Sequence, residues 1–439
     1  TLTVVGSGSG TLTYQWKKNG TNIPGATLAT YNVAAVTTAD AATYTVSISS
    51  SGACGNTVLS NVAVVNVDSP AAIATQPVAT QTLCEGNSVT LQVVATGTSL
   101  TYQWNKGGTP IVGATNSTYT IASLATGDAA TYTVDVTSGG TCANTVTSAN
   151  AVINVDSPAA VVTQPTASQT LCVGNALTLT VVGSGSGALT YQWKKNGTAI
   201  VGATSATYNV GSVTTANAGA YTVDITTSGA CANTVTSNVA TVIVDSPAAI
   251  ATQPVATQTL CEGNSVTLQV VATGTSLTYQ WNKGGTPIVG ATSSSYTIAS
   301  LTTGDAGTYT VDVTSSGACL NAVTSANAVI NVDRPASVVT QPTASQTLCV
   351  GNSLTLTVVG AGSGALSYQW KKNGTDIPGE ITDTYTVASV TTADAATYTV
   401  SITSGGACGN TVLSNVAVVN VDSPAAIATQ PVATQTLCE

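Results

Sequence analysis

The sequence predicts an all-β protein, a tandem array of β-sandwich domains of about 88 residues each, and three observations support this. The motif Tyr-Gln-Trp recurs five times, roughly every 88 residues, which indicates a repeat architecture. Thr, Val, Tyr and Ile, which favour strands, fill the segments between Gly- and Pro-containing turns. No stretch shows the sustained apolar spacing of a helix.

Each repeat contains about seven short segments with strand character, separated by turn residues. In the second repeat we expect the first strand to be broken at Pro77, because Pro cannot donate to a sheet ladder. The predicted strands there are 73–84, 88–95, 100–105, 111–114, 117–121, 130–137 and 145–155. Seven strands with turns every 8 to 12 residues are typical of a sandwich.

The repeats meet at short Val-Asp-Ser-Pro junctions, one of which reads Asp333-Arg334-Pro335. Odd repeats carry Trp-Lys-Lys-Asn-Gly and even repeats Trp-Asn-Lys-Gly-Gly, so the full period is a pair. The predicted domains are 1–68 (repeat 1, lacking its first strand), 69–156 (repeat 2), 157–245 (repeat 3), 246–333 (repeat 4) and 334–422 (repeat 5), followed by a first strand in 423–439. Because Pro restricts the backbone at each junction, we expect an extended, semi-rigid rod.

Composition excludes several classes of function. Only 6% of residues are charged and the net charge is −9, which disfavours a nucleic-acid or anionic-membrane partner. There is no apolar run long enough to span a membrane and no signal peptide in this sequence. Since the chain does not begin with Met, we expect a mature product or a fragment. The absence of His excludes His-based catalytic triads and His metal sites.

The motif residues resemble an immunoglobulin-like (Ig-like) family, the I-set type in particular. In repeat 2 the resemblance lies in Val89-Thr90-Leu91, Trp104, Tyr119-Thr120-Ile121 and Asp128-Ala129-x-x-Tyr132. It implies a Trp in the sandwich centre and a tyrosine corner at the start of the strand predicted at 130–137. The residues that match these two roles are Trp16, Trp104, Trp193, Trp281 and Trp370, with Tyr44, Tyr132, Tyr221, Tyr309 and Tyr398. Asn217 replaces the corner Asp in repeat 3 and keeps an acceptor for capping.

The cysteines depart from the family pattern. The two positions of the usual inter-sheet disulfide are Val, as in Val93 and Val134, and the ten cysteines are separated by gaps that alternate between 30 and 58 or 59 residues. Pairing across the longer gap gives one disulfide inside each complete domain, worth about 4 kcal/mol in the chain-entropy model. The predicted pairs are Cys84 with Cys142, Cys172 with Cys231, Cys261 with Cys319 and Cys349 with Cys408, which leaves Cys54 and Cys438 unpaired or intermolecular. Pairing across the shorter gap would instead link neighbouring domains.

Regular cysteines and small stapled cores indicate an oxidising, extracellular setting. The displaced cysteines, with the Tyr-Gln-Trp-x-Lys and Gly-Ala-Thr elements, are similar to tandem Ig-like repeats of large secreted bacterial surface proteins, notably Bacteroidota adhesins. That resemblance implies export, commonly by a type IX system, and display on the cell.

The two ends of the sequence are complementary. Repeat 1 lacks a first strand and first cysteine, and Ala425–Glu439 supplies both with no domain after it. The sequence is either a window of a longer repetitive chain or a subunit that donates its tail strand to the next subunit. The tail matches the leader of even repeats, whereas repeat 1 is odd, which favours the window.

Other candidate sites have simpler explanations. The Gly6–Gly10 segment lacks the Gly-Lys-Ser/Thr ending of a phosphate loop. Lys17-Lys18 and its counterparts could bind an acidic ligand, but they are better explained as solvated strand ends opposite Asp residues. One Asp per linker is too few for calcium. Four glycosylation sequons, such as Asn19-Gly20-Thr21, are also turn sequences.

The sequence therefore predicts a non-enzymatic structural component of an extracellular bacterial filament or adhesin stalk, without cofactor or metal. The alternative is an adhesion module that binds carbohydrate or protein through loops at the ends of the sandwiches. We expect self-association into a filament, head-to-tail or lateral, because a weakly charged surface offers little repulsion.

Overall fold

The computed structural model describes residues 1–436, and within them every regular element is a strand or a single 3₁₀ turn. Repeat 1 contains β1 (Leu2–Thr3), β2 (Leu12–Lys18), β3 (Thr21–Asn22), β4 (Thr30–Tyr31), β5 (Ala42–Ser50), β6 (Thr57–Leu59) and β7 (Ala63–Val65). Repeat 2 contains β8 (Ala72–Thr75), β9 (Thr80–Cys84), β10 (Val89–Gln92), β11 (Val94–Thr96), β12 (Thr101–Lys106), β13 (Thr109–Pro110), β14 (Thr118–Ile121), β15 (Ala130–Thr137), β16 (Thr145–Thr147) and β17 (Ala151–Asp156).

The next three repeats follow the same order. Repeat 3 contains β18 (Ala160–Thr163), β19 (Ser168–Cys172), β20 (Leu177–Thr180), β21 (Val182–Ser184), β22 (Thr190–Lys195), β23 (Thr198–Ala199), β24 (Thr207–Val210), β25 (Gly219–Thr226), β26 (Thr234–Thr236) and β27 (Ala240–Asp245). Repeat 4 contains β28 (Ala249–Thr252), β29 (Thr257–Cys261), β30 (Val266–Gln269), β31 (Val271–Thr273), β32 (Thr278–Lys283), β33 (Thr286–Pro287), β34 (Ser295–Ile298), β35 (Gly307–Ser315), β36 (Asn321–Thr324) and β37 (Ala328–Asp333). Repeat 5 contains β38 (Ser337–Thr340), β39 (Ser345–Cys349), β40 (Leu354–Thr357), β41 (Val359–Ala361), β42 (Ser367–Lys372), β43 (Thr375–Asp376), β44 (Thr384–Val387), β45 (Ala396–Thr403), β46 (Thr411–Leu413) and β47 (Ala417–Asp422). The 3₁₀ turns are 38–40, 126–128, 140–142, 215–217, 303–305, 317–319 and 392–394.

Each complete repeat divides its strands between two faces. In repeat 2 the larger sheet has the order β13-β12-β15-β17-β9, with β16 also paired to β15, and the smaller face comprises the pairs β10–β14 and β8–β11. Repeats 4 and 5 repeat this arrangement. The first strand is split at Pro77, so β8 joins one face and β9 the other, as the Pro signal predicted. The predicted strand at 111–114 is a turn instead, and its Val112 is 99% exposed.

The pair β9–β17 is the only parallel pair in repeat 2, and it places Cys84 opposite Asp156. The corresponding pairs β29–β37 and β39–β47 place Cys261 opposite Asp333 and Cys349 opposite Asp422. The equivalent sheet of repeat 1 has five strands rather than six.

The core of each sandwich is aliphatic around one aromatic cluster. In repeat 2 the buried set includes Trp104, Tyr132, Leu91, Val93 and Val134, all no more than 2% exposed. The two Val residues occupy the positions of the usual inter-sheet disulfide, so packing alone closes this core.

Contacts group the described chain into two compact units. The first contains Thr1–Ala167, Leu179–Tyr208 and Ala220–Ala240, and the second contains Ser168–Thr178, Asn209–Gly219 and the chain from Thr241 onward. Repeats 1 and 2 lie in the first unit, repeats 4 and 5 lie in the second, and repeat 3 contributes to both. The domain bounds drawn from the sequence stay a prediction.

The segment 423–436 contains no strand and all of its residues are exposed. Its sequence is identical to the stretch that forms β8 and β9 in repeat 2, and 423–439 was predicted to hold a strand. In repeat 2 those strands have β11 and β17 as partners. Strand formation by this sequence therefore depends on a partner strand, as expected for short isolated strands.

Candidate functional site: the joints between repeats

The residues of the core signature lie in the sandwich centres. Trp104, Trp193, Trp281 and Trp370 are fully buried, and Trp16 is 4% exposed. The indole N–H of Trp104 donates to the carbonyl oxygen of Asn116 at 2.9 Å. Tyr119 lies between Trp104 and Tyr132, with ring centroids 6.4 and 6.2 Å away. The three rings form one cluster that joins both faces.

The tyrosine corner of repeat 2 lies at the start of β15 in the larger sheet. The Tyr132 hydroxyl donates to the carbonyl oxygen of Asp128 at 3.0 Å, and Tyr44, Tyr309 and Tyr398 make the same bond. Burial raises the pKa of Tyr309 to about 12. The Asp128 carboxylate accepts from Lys106 at 2.9 Å and from the backbone N–H of Ala125, and these bonds lower its pKa. Asn217 accepts from the backbone N–H of Thr214 at 2.8 Å, so the amide keeps the cap.

The disulfides join neighbouring repeats, so the pairing predicted from the sequence is wrong. The bonded pairs are Cys84 with Cys231, Cys172 with Cys319 and Cys261 with Cys408, each separated by 147 residues. Their Cα atoms lie 4.7, 4.9 and 4.7 Å apart. None of the predicted intradomain pairs (Cys84 with Cys142, Cys172 with Cys231, Cys261 with Cys319, Cys349 with Cys408) forms, nor does any pair across the shorter gap.

The direction of the split first strand explains this pairing. Because β9 runs parallel to β17, it carries Cys84 to the C-terminal end of repeat 2. Cys142 follows strand β15 in the hairpin at the opposite end, beside the preceding linker. Strand β15 alone spans about 23 Å at about 3.3 Å per residue. Two cysteines of one repeat therefore face different neighbours.

Cys54, Cys142 and Cys349 are exposed and carry no disulfide. Cys142 and Cys349 were predicted to be paired, so the structure corrects both. Cys438, the other cysteine predicted to be unpaired or intermolecular, lies outside the described residues.

In the four linkers between repeats, the junction Asp residue holds the next hairpin. Its carboxylate accepts from the backbone N–H of the residue directly before the hairpin cysteine, at 2.7 to 2.9 Å. The pairs are Asp68 with Thr141, Asp156 with Ala230, Asp245 with Ala318 and Asp333 with Ala407. The hydrogen bonds from the backbone and the hydroxyl of Thr141 lower the pKa of Asp68.

A glycine makes room for this carboxylate. Gly317 has φ +84°, and a Cβ there would collide with the Asp245 carboxylate. Gly140, Gly229 and Gly406 stand in the same relation to Asp68, Asp156 and Asp333. The hairpin needs Gly for its backbone conformation and for the close approach.

The linkers are also bonded to the following repeat on either side of the Pro. In the joint between repeats 3 and 4, the backbone N–H of Ser246 donates to the Thr275 hydroxyl at 2.8 Å. The backbone N–H of Ala248 donates to the Asn321 side chain at 2.7 Å, and that side chain donates back to the Ala248 carbonyl at 3.1 Å. The other three joints repeat both contacts with Thr98 and Asn144, Ser186 and Asn233, and Ser363 and Asn410.

The remaining side chains that were candidates for ligand or metal binding form hydrogen bonds and ion pairs within the protein. Asp135 accepts from Asn105 at 2.9 Å and from Thr147 at 2.6 Å. Lys194 pairs with Asp224 at 2.5 Å, which fits the solvated strand-end interpretation. In residues 1–436 no group of three or more His, Cys, Asp or Glu side chains is placed to hold a metal. Within the same range no helix has the length and apolar character needed to span a bilayer.

Residues 247–332 match the family model described as "Ig-like domain CHU_C associated". This stretch is repeat 4, and the other repeats carry the same motifs. The chain is a tandem array of Ig-like repeats. This match confirms the resemblance to the Bacteroidota type of repeat, and the strands and 3₁₀ turns of residues 1–436 confirm the all-β fold class. No curated protein sequence matches the chain.

Solved structures that resemble this Ig-like array are themselves tandem Ig fragments. A three-domain fragment of titin has a TM-score of 0.47 and 19% identity over 60% of this chain and 98% of its own. Domains 1–5 of Sidekick-1 have a TM-score of 0.36 and 17% identity over 96% of this chain and 95% of their own. Extracellular domains 3–5 of Drosophila OTK have a TM-score of 0.28 and 18% identity over 60% and 97%.

The junction Asp residues stood out in the sequence, but their bond to the next hairpin was not predicted, and the Gly and Asn residues of the joints did not stand out. The signal was present as Gly-x-Cys-x-Asn in each hairpin, as at Gly317 to Asn321, and as Val-Asp in each linker. Both are short, and they become meaningful only when the hairpin of one repeat is placed beside the linker before it.

Proposed function

We propose that this chain is a structural stalk segment of a secreted bacterial surface protein, and that it acts by holding its Ig-like repeats in fixed succession. The observation that carries the proposal is the construction of the joints. Each of three joints has a disulfide, and every linker is bonded to the following repeat through Asp, Asn and Ser or Thr contacts. In flexible linkers these polar groups would form hydrogen bonds with water instead of with the following repeat.

The same contacts argue against a module that binds ligands through the loops at the sandwich ends. In repeat 4 Thr275 of one such loop and Asn321 at the start of β36 are bonded to the linker, and Cys319 is bonded to repeat 3. A loop set that is occupied by the preceding joint has few groups left for a glycan or protein. This favours a structural role without enzymatic activity.

Extracellular placement forms part of the proposal. Three disulfides in Ig-like repeats fit an oxidising compartment, because cytosolic thiols are kept reduced. The expected rod, about 200 Å for five repeats at about 40 Å each, is likewise proposed. Small-angle scattering of the oxidised protein checks it, and a radius of gyration near that of a compact protein of the same length would contradict it.

Self-association into a filament stays a prediction. Light scattering of the purified chain over a concentration series tests it directly. Head-to-tail strand donation predicts assembly at the chain ends, whereas lateral packing predicts assembly that persists in a variant shortened to residues 1–422.

The decisive experiment shortens the native surface protein by one pair of repeats. Deleting residues 157–333 brings repeat 2 next to repeat 5, keeps the even–odd alternation and lets Cys84 meet Cys408 in place of Cys231. A stalk should become shorter by about 80 Å in electron micrographs of the cell surface, with adhesion retained. Loss of adhesion at normal display would instead place a binding site in the deleted repeats.

A further inference from the structure

Repeat 4 is covalently connected to each neighbour at two points. To repeat 3 it is joined by the linker at Ser246 and by Cys319, which bonds to Cys172. To repeat 5 it is joined at Asp333 and by Cys261, which bonds to Cys408. One cysteine lies near each end of the sandwich, so both joints have a second covalent connection.

We propose that the joint disulfides carry tension past the body of each repeat and make the oxidised array nearly inextensible. Along the chain, Cys319 lies only about 14 residues from Asp333, and Ser246 only about 15 from Cys261, so two short segments connect the joints. The stretch 262–318 between the cysteines lies outside both load paths. It holds Trp281, Tyr309 and most of the core.

The two load-bearing segments are neighbours in the sheet. They end in β29 and β37, which pair in parallel with Leu260 opposite Val332 and Cys261 opposite Asp333. Both run from the N-terminal to the C-terminal end of the repeat, so a pull along the array loads them in the same direction. The hydrogen bonds between them join the last five residues of the two segments, 257–261 and 329–333.

The lengths of these two segments determine how far a repeat can extend under load. A fully extended residue spans at most about 3.6 Å, so about 14 residues reach about 50 Å, close to the roughly 40 Å of a folded Ig-like repeat. Without disulfides a repeat of about 88 residues would reach about 300 Å. Unfolding under load should therefore lengthen an oxidised repeat by about 10 Å instead of about 260 Å.

Two of the three disulfides provide this protection. The shortest covalent path leaves repeat 2 at Cys84, follows residues 231–261 through repeats 3 and 4, and enters repeat 5 at Cys408. The bond Cys172–Cys319 is not on that path, because a path through it must cross the 59 residues of repeat 3 between Cys231 and Cys172. Repeats 2 and 5 each have one disulfide, through Cys84 and Cys408. Repeat 1 has none among the described residues and serves as an internal reference.

Single-molecule force spectroscopy tests the proposal on the full chain, held at its two ends, with Cys54, Cys142, Cys349 and Cys438 replaced by Ser to prevent stray oxidation. Under oxidising conditions we expect one long unfolding event, from repeat 1, and lengthening of only about 1 nm from each of the others. After reduction four further events of about 26 nm should appear.

Two variants make the expected result specific. Cys172→Ser removes the disulfide between repeats 3 and 4 and should leave the extension of the oxidised chain unchanged, because the shortest covalent path does not use this bond. Cys261→Ser removes the disulfide between repeats 4 and 5 and should lengthen the fully extended chain by about 40 nm, because repeat 5 then extends fully and repeat 3 is crossed over the 59 residues between Cys231 and Cys172. Events of about 7 nm from repeats 3 and 4 in the oxidised chain would indicate the intradomain pairs Cys172–Cys231 and Cys261–Cys319 and overturn the proposal. So would an unchanged extension in Cys261→Ser.

The biological meaning of this resistance to extension rests on the proposed stalk function. The load path and the stalk function can nevertheless be contradicted independently of each other. An oxidised chain that extends fully would overturn the load path and leave the stalk unaffected. A chain that resists extension, combined with loss of adhesion after deletion of residues 157–333, would overturn the stalk and leave the load path intact.

Discussion

Cys172 and Cys319 are bonded across the joint between repeats 3 and 4, with their Cα atoms 4.9 Å apart. Beside them the Asp245 carboxylate accepts from the backbone N–H of Ala318 at 2.8 Å, and Asp245 is only 5% exposed. A covalent bond and a buried charged acceptor therefore hold the same hairpin from two sides.

Removing a joint disulfide should destabilise the array more than removing a free thiol. The bond closes a loop of 147 residues, for which the chain-entropy model gives up to about 5 kcal/mol. We expect Cys319→Ser to lower the midpoint of urea unfolding, and Cys142→Ser, at an exposed unpaired position, to leave it unchanged. Peptide mapping without reductant should recover Cys172 linked to Cys319, and a Cys261–Cys319 peptide would contradict the assignment.

Adding a methyl group at Gly317 should damage the joint. Gly317→Ala incurs the strain of a positive φ and also a collision with Asp245. Gly290→Ala is the matched control, because Gly290 has φ +79° with no atom near its missing Cβ. The control should cost about 1 kcal/mol, and Gly317→Ala clearly more, measured by equilibrium unfolding. Equal losses would mean that the hairpin moves away from Asp245 freely.

Stability should fall in acid through the corner carboxylates. Hydrogen bonds from the hydroxyl and the backbone N–H of Thr302 lower the pKa of Asp305. Its contribution is therefore complete above the unfolded value near 3.9 and is lost as the pH falls through the lower, folded value. Hydrogen exchange in β35, corrected for intrinsic rates, should show faster opening below about pH 4.

Repeat 3 provides the internal control for that experiment. Its corner acceptor is Asn217, whose amide does not titrate. Strand β25 should therefore show a smaller acid response than β35, and Asp305→Asn should bring β35 to the same level. An unchanged response in Asp305→Asn would assign the acid sensitivity to other carboxylates.

Truncating the central Trp should unfold its repeat. Trp281 is fully buried, and Trp281→Ala should cost about 3–5 kcal/mol because a large cavity remains. Val289→Ala in the same repeat is the control, since Val289 is 100% exposed and should change stability by no more than about 0.5 kcal/mol. Near-UV circular dichroism and urea unfolding measure both variants. A stable Trp281→Ala protein would contradict the core assignment.

The fold of one repeat could be predicted because its determinants are local in sequence. Two short motifs of one repeat contain the key residues: Tyr-Gln-Trp contains Trp104, and the tyrosine corner contains Asp128 and Tyr132. Each of these residues has one structural role in a sandwich. The bond between Cys84 and Cys231 could not be predicted in this way. It depends on the parallel pairing of β9 with β17, which decides the end of the sandwich that Cys84 reaches. Spacing along the chain carries no information about that direction.

The long separation between bonded cysteines has a consequence for the order of events during maturation. In an unfolded chain Cys84 would meet Cys142, about 58 residues away, several times more often than Cys231, which lies 147 residues away. Early oxidation would therefore trap the wrong pair. Correct bonding requires that repeat 2 is already folded, with Cys84 and Cys142 at opposite ends, and that repeat 3 has emerged and folded beside it. Each joint disulfide therefore forms only after the second of the two repeats that it joins has reached its native structure.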